Sequence, residues 1–301
     1  MKPSSRRQQP VALQPQPVGQ GEELAAGTRG RRKRGLGPVL WWAVVVALAA
    51  IFLLPFLWLV DLALKTNAEV SAYPVQLLPA MPRWDNFQRI LTTTTFWHYA
   101  RNSFALTALQ TLPTMVTSAM VGFGFARLKG RGKNMLFGLV LAMMMIPQLV
   151  TIVPTYILFA RIPGMIGSYY PWLLWGLGGT PLYIFLYRQF FRGIPLELMD
   201  AAVIDGCGRF RVFARIYLPL SKPVVATVAI LSFINVWGDW FTPSMFLSDD
   251  NYPLATMIAN GFGTQNITSA ANILFIVPVL AIFFAGQRYF VQGIVTSGLK
   301  R

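Results

Sequence analysis

Long apolar runs separated by short polar stretches dominate this chain. Six of them have the composition of membrane-crossing helices, which need about 20 mostly apolar residues. They run from Pro38 to Val60, about Asn102 to Ala126, about Asn134 to Val150, about Tyr170 to Phe190, about Val224 to Phe241 and about Ala271 to Phe290. Between the third and fourth, Thr151 to Ser168 carries proline and tyrosine and reads as too broken for one straight helix. The pattern predicts an all-α integral membrane protein. The first run is longer than a signal-peptide core and no small-residue cleavage site follows it, so it reads as an anchor that stays. Residues 1–37 are rich in Pro, Gln, Gly and Arg without apolar periodicity, which predicts a disordered basic tail. A membrane domain over 38–294 and a short tail over 295–301 complete the division.

Charge refines this picture. Of 301 residues, 54% are hydrophobic and only 12% charged, yet the net charge is +15. A basic soluble protein would point to nucleic acid, but here the cations stand beside the apolar runs, where they act as topology signals. With the N-terminus inside, 21 of the 26 Lys and Arg residues fall on that side, leaving Lys65, Arg83, Arg89, Arg101 and Arg161 outside. The bias predicts both termini in the cytoplasm and an even number of spans. On the outer side, Asp61 to Tyr99 is long and mixed, with Trp84, Trp97 and Tyr99 as interfacial aromatics.

Candidate chemistry is sparse. Cys207 is the single cysteine and His98 the single histidine, so neither an internal disulfide nor a histidine-based metal cluster is on offer. His98 reads most simply as an interfacial loop residue. Gly130-Arg131-Gly132-Lys133-Asn134 lacks the spacing and hydroxyl of a phosphate loop. Met143 to Met145 reads as core packing rather than a soft-metal site. No metal or cofactor is called for. Asn235, Trp237, Asp239 and Trp240 lie along the outer half of the fifth run. Intramembrane acids tend to mark pathways, although a plain interfacial position for Asp239 accounts for it equally well.

The polar island from Pro195 to Leu220 carries more information. Pro195 suits the first position of a helix. Leu198, Ala201, Ala202 and Asp205 then fall on one helical face, and the two alanines let another surface approach closely. Gly206 and Gly208 end that helix. A second short helix, about Arg209 to Tyr217, offers Phe210, Phe213 and Ile216 for burial, and Pro219 and Pro223 stop it. Physics alone leaves a second reading open, an amphipathic hairpin whose Arg209, Arg211 and Arg215 lie against anionic lipid.

Asp200-Ala201-Ala202, Gly206 and Ile216-Tyr217-Leu218-Pro219 keep the spacing of a known signature. They resemble the "EAA" loop of ATP-binding-cassette (ABC) importer permeases, with Asp200 in place of the usual glutamate and Cys207 in place of alanine. From Val39 to Gln292 the chain is most similar to the MalG-like carbohydrate-uptake permeases of the type I (MetI-like) import fold. That resemblance is carried by Arg101-Asn102-Ser103, Ala126-Arg127-Leu128, Met145-Ile146-Pro147, Pro181-Leu182, Arg188-Gln189-Phe190-Phe191 and Gln287 to Gly293. The C-terminus, Ser297-Gly298-Leu299-Lys300-Arg301, departs from the family's usual ending.

The resemblance implies six transmembrane helices with cytoplasmic coupling helices, in a non-catalytic subunit of a sugar importer in a bacterial or archaeal cytoplasmic membrane. Its partners would be an ABC ATPase dimer, a second MalF-like permease and an extracytoplasmic solute-binding protein. The loop over 191–221 would dock on the ATPase, with Glu197, Asp200, Ala201, Ala202, Asp205, Gly206, Phe213, Ile216 and Pro219 as its working residues. Asn260, Gly261, Phe262 and Gly263 would meet the binding protein. Glycerophosphate, polyol or peptide cargo stays open. The rival class is an ATP-independent channel or secondary transporter, which leaves the coupling loop without a purpose and lacks a buried acid-base chain.

Overall fold

The computed structural model describes the backbone of residues 36–298, and among the described residues it is helical with irregular connections. Residues 1–35 and 299–301, which hold most of the expected N-terminal tail and the end of the C-terminal one, lie outside the described residues. The described residues divide into two units, one ending at Leu54 and one beginning at Pro55. The described part of the first is the start of α1 (Leu36–Leu64), whose side chains from Leu40 onward are almost all exposed. A helix that is apolar all round and unburied is built for lipid.

In the second unit α1 gives way to α2 (Asn67–Val70), α3 (Asp85–Thr92) and α4 (Thr94–Arg127). Then come α5 (Lys133–Met143), α6 (Gln148–Ala160), α7 (Tyr170–Gly178) and α8 (Pro181–Gly193). The polar island supplies α9 (Glu197–Ile204), α10 (Arg209–Val212) and α11 (Leu218–Leu220), with a π-helical turn at Phe213–Tyr217 between the last two. The chain ends with α12 (Lys222–Trp237), α13 (Phe241–Phe246), α14 (Leu254–Ala259) and α15 (Gln265–Gly298).

α4 organises this unit, packing most extensively against α7, α8 and α12. Ser103, Thr107, Thr111, Thr114 and Ser118 recur every three or four residues along it and are all buried. In lipid, where apolar surface gives no advantage to helix association, small side chains and interhelical hydrogen bonds hold helices together. Ser232 Oγ on α12 donates to Thr111 Oγ1 at 3.2 Å. Farther along α4, Gly122 lies so close to α8 that an added Cβ would sit 2.7 Å from Tyr187 Cβ.

Among the described residues, three helices are long and apolar enough to cross a membrane, Leu40–Leu64, Thr95–Arg127 and Gln265–Arg288, and two bent pairs bring the count to at most five. Expected and observed spans differ in instructive ways. The third run stops at Met143 and turns by 97° into α6, because Pro147 has no N–H to continue the ladder. Most of the stretch read as broken, Thr151 onward, is therefore helical as far as Ala160, with Pro154 inside it. The fourth run is broken between α7 and α8. There Thr180 N–H donates to Ser118 Oγ at 3.1 Å and Thr117 Oγ1 donates to Gly176 O at 2.9 Å, so α4 satisfies the freed backbone. Met143, Met144 and Met145 are exposed at the bend rather than packed in a core. His98 lies within α4, not in a loop, and its Nε2 is 2.7 Å from Asp250 O. α15 continues four residues past 294 to Gly298.

Candidate functional site

The polar island folds as a hairpin. α9 begins at Glu197, two residues after Pro195, with Leu196 O receiving the first N–H groups. Glu197 and Asp200 occupy its first turn, where negative charge suits the helix dipole. The helix closes on glycine: Gly206 has φ +78°, Gly206 N–H donates to Val203 O at 3.0 Å and Cys207 N–H to Ala202 O at 2.9 Å. These are the two bonds of a Schellman cap, which needs a left-handed residue at this position. Among the described residues, no atom beyond the glycine and its two chain neighbours lies within 4 Å of where a Gly206 Cβ would stand. The demand for glycine therefore comes from the backbone and leaves the outer side of the turn open.

The second arm anchors the hairpin. Phe213 and Tyr217 are buried against Phe123 of α4, with ring centroids 5.3 and 5.0 Å away, and Tyr217 also meets Phe191 of α8 at 5.7 Å. The π-helical turn spans these two aromatics, and such turns are frequent at functional sites. Arg127, at the end of α4, donates through Nη2 to the carbonyls of Phe191 and Ile194, and its guanidinium lies 5.3 Å from the centre of the Tyr217 ring. One side chain thus ties the ends of α4 and α8 to the base of the hairpin.

The expected working residues divide by burial. Glu197, Asp200, Ala201, Asp205 and Gly206 are exposed, as is Pro219. Ala202 and Phe213 are buried and Ile216 is half-buried, so they hold the hairpin instead of presenting a surface. Leu198, Ala201, Ala202 and Asp205 accordingly do not share one environment: α9 leans on the core through Met199 and Ala202, and the other three face away. Phe210, expected to be buried, is 69% exposed. Pro219 does not stop the second arm, which runs on to Leu220 before an 81° bend into α12, with Pro223 in that helix's first turn.

Sequence reasoning missed the tip. Val203, Ile204 and Phe210 are exposed beside the Gly206 turn, Ile204 by 85%. Acid lies on one side, Glu197, Asp200 and Asp205, and base on the other, Arg209, Arg211 and Arg215, all exposed. The signal was available in the sequence, because Val203 and Ile204 are apolar residues three and two positions before the turn glycine.

The other candidates lie elsewhere. Asn235, Asp239 and Trp240 line a cavity of about 420 Å³, together with Gln148 and Leu149 at the start of α6. Asp239 Oδ1 accepts the N–H groups of Phe241 and Thr242 at 3.1 and 3.0 Å, which opens α13. Trp237 belongs to the core, not the cavity: it is stacked between Phe233 and Phe275, and its Nε1–H donates to Phe275 O at 3.1 Å. Asn260 caps α14, Gly261 and Gly263 have positive φ, and Phe262 packs edge-on against Phe96 at 6.2 Å. This segment does not join the hairpin or the cavity lining.

Comparison with known proteins bears on what this hairpin and cavity serve. Residues 115–296 match the family described as "Binding-protein-dependent transport system inner membrane component". The chain belongs to this permease family. The permease is 31% identical to the arabinooligosaccharides transport system permease protein AraQ of Halalkalibacterium halodurans, over 89% of this chain and 99% of the relative. It is 32% identical to the sn-glycerol-3-phosphate transport system permease protein UgpE of Pectobacterium atrosepticum, over 88% and 98%, and 28% identical to the melibiose/raffinose/stachyose import permease protein MelC of Bacillus subtilis, over 90% and 99%.

In fold, the permease is similar to a chain of a bacterial ABC transporter involved in the import of alginate, with a TM-score of 0.73 at 20% identity, over 85% of this chain and 96% of that one. It is also similar to a chain of the MetNI methionine ABC transporter, with a TM-score of 0.54 at 17% identity, over 67% and 99%. The protein is thus a multi-pass membrane permease subunit of an ABC importer, with an all-α fold related to MetI-like transporters, and not a catalytic enzyme.

Proposed function

We propose that this permease moves a carbohydrate across the cytoplasmic membrane, driven by an ABC ATPase that docks on the α9–α10 hairpin. A second permease chain completes the pore, and an extracytoplasmic binding protein delivers cargo near Asn260 to Gly263. The exposed, mixed tip of the hairpin carries the reading. An apolar knuckle of Val203, Ile204 and Phe210, flanked by Asp200 and Asp205, is a surface that gains by being covered. Rigid attachment through Arg127 and the Phe123–Tyr217 cluster suits it to pass force on. Six crossings result if α5 spans together with its bent partner α6, and if α7 and α8, which together cover 170–193, cross as one interrupted span. Both termini are then cytoplasmic, in agreement with the distribution of Lys and Arg.

Several relatives are named for oligosaccharide transport, AraQ and MelC among them, which favours a sugar. A glycerophosphate is the second reading, favoured by the 32% identity to UgpE.

Gly206→Val tests the coupling site. A β-branched residue in the left-handed conformation costs about 1–2 kcal/mol, and its methyls would fill the open side of the turn. The variant is expected to insert and to keep its second permease in mild-detergent purification, yet to lose the co-purifying ATPase and cargo uptake. Equal recovery of the ATPase with variant and parent would overturn the docking site.

A further inference from the structure

Between α2 and α3 the chain makes an irregular strap, Ser71-Ala-Tyr-Pro-Val-Gln-Leu-Leu-Pro-Ala-Met-Pro-Arg-Trp84. Three polar ties fasten it. Lys65 Nζ donates to Gln76 O, Ala80 N–H donates to Glu69 Oε1 at 2.9 Å, and Arg83 N–H donates to Leu64 O at 2.8 Å. The outward side is apolar and bare: Leu78 and Met81 are each 77% exposed, and Tyr73, Val75, Leu77 and Trp84 are also exposed.

The ties also fix the direction of the strap. Lys65 Nζ pairs with Asp61, one helical turn back along α1, and lies 5.3 Å from the centre of the Trp58 ring. Gln76 therefore sits beside the last turns of α1 and not beyond its end. On α1 itself Phe56, Leu57, Trp58 and Val60 are exposed on a membrane-crossing helix. The apolar strap is thus tied to the end of a helix whose own side chains there are apolar and exposed. Charge resumes at its end, where Asp85, half-buried, pairs with the exposed Arg83 and Arg89. Aromatic residues at this level are the usual markers of a membrane–water boundary.

We infer that residues 73–84 lie in the bilayer interface at the C-terminal end of α1, with Leu77, Leu78 and Met81 among the lipid chains. Irregular backbone is unwelcome in the hydrocarbon core but is tolerated in the interfacial zone, about 5–10 Å deep. The insertion also keeps hydrocarbon away from the Asp61–Lys65 pair, whose side chains are 9% and 1% exposed. Lipid is favoured over a protein partner because the strap carries no charge until Arg83 and is fastened at the end of a membrane-crossing helix.

Depth measurement on the full chain tests this. With Cys207→Ser as background, Leu77→Cys, Leu78→Cys and Met81→Cys would each receive a nitroxide, in nanodiscs of phosphatidylethanolamine and phosphatidylglycerol with all co-purifying subunits retained. Leu57→Cys on α1 and Asp249→Cys, on an exposed turn, set the lipid and water references. Collision with molecular oxygen relative to a water-soluble nickel chelate is expected to rise several-fold over Asp249 at all three sites. A ratio equal to that at Asp249 would place the strap in water, and suppression of both collisions would place it under a protein; either result overturns the inference. Tyr73→Cys supplies a further site should one variant fail to insert. None of these readings depends on ATPase docking, so the coupling proposal stands or falls separately.

Discussion

Glu69 illustrates how much a single side chain can organise. Its carboxylate accepts the Thr66 N–H at 2.7 Å, the Ala80 N–H at 2.9 Å and the Thr66 hydroxyl at 2.8 Å. Those donors, the Thr66 N–H foremost, hold its pKa below the ordinary value of 4.5. A depressed carboxylate stabilises the fold above its unfolded pKa, and that contribution is lost as pH falls through the folded value. Protection of the Ala80 amide, corrected for intrinsic exchange, is therefore expected to hold at neutral pH and to fall once pH drops below about 4.5. In Glu69→Gln it should be weaker at neutral pH and flat across that range. Unchanged protection in the variant would count against the tie. Nothing in the sequence pointed to Ala80 as a partner, because the contact closes an eleven-residue loop. The Thr66–Glu69 capping box, by contrast, is a local pattern and can be read off the sequence.

At the scale of elements, close helix approach decides the architecture. Gly122 marks the place where α4 and α8 nearly touch, and an added methyl would meet Tyr187 Cβ at 2.7 Å and Arg188 N at 3.1 Å. Gly122→Ala is expected to cost about 1–3 kcal/mol, as overpacking does elsewhere. It should appear as a lower thermal midpoint of the purified permease, whereas Gly124→Ala, which meets no described atom outside its own helix within 4 Å, should leave the midpoint at or above that of the parent. The long helices were legible from hydropathy, since apolar runs such as Ala271 to Phe290 have no other stable form in lipid. The breaks were not. The interruption at Gly179 and Thr180 depends on hydroxyls of Thr117 and Ser118, some 60 residues away in the chain. The spacing around Gly206 was legible because a Schellman cap is local. The direction in which Ala202 and Phe210 face was not, because the aromatic cluster from α4 and α8 sets it.

For the molecule as a whole, the hairpin and the cavity stand in different parts of the helical body and share α12, which begins next to one and ends at the other. Asn235 lines the cavity and is exposed, whereas Asp239 is engaged in opening α13. Asn235→Ala is expected to lower cargo uptake in proteoliposomes about fivefold, the loss of one hydrogen bond of about 1 kcal/mol, with ATPase recovery unchanged. Asp239→Asn, which keeps the accepting oxygen, should have little effect, while Asp239→Ala should cost about 0.5–2 kcal/mol of stability through the lost cap. Uptake that is insensitive to Asn235→Ala would remove the cavity from the cargo route. α4 has a mechanical consequence. Its 34 residues, with Pro113 among them, form a helix about 50 Å long, packed along its length against α7, α8 and α12 and tied at its C-terminal end by Phe123 and Arg127 to the hairpin. A tilt of only about 5° imposed at that clamp would sweep the opposite end through about 4 Å. In the proposed coupling, α4 would be the lever arm that turns a slight push on one membrane face into a displacement as large as a water molecule's width, or more, at the other.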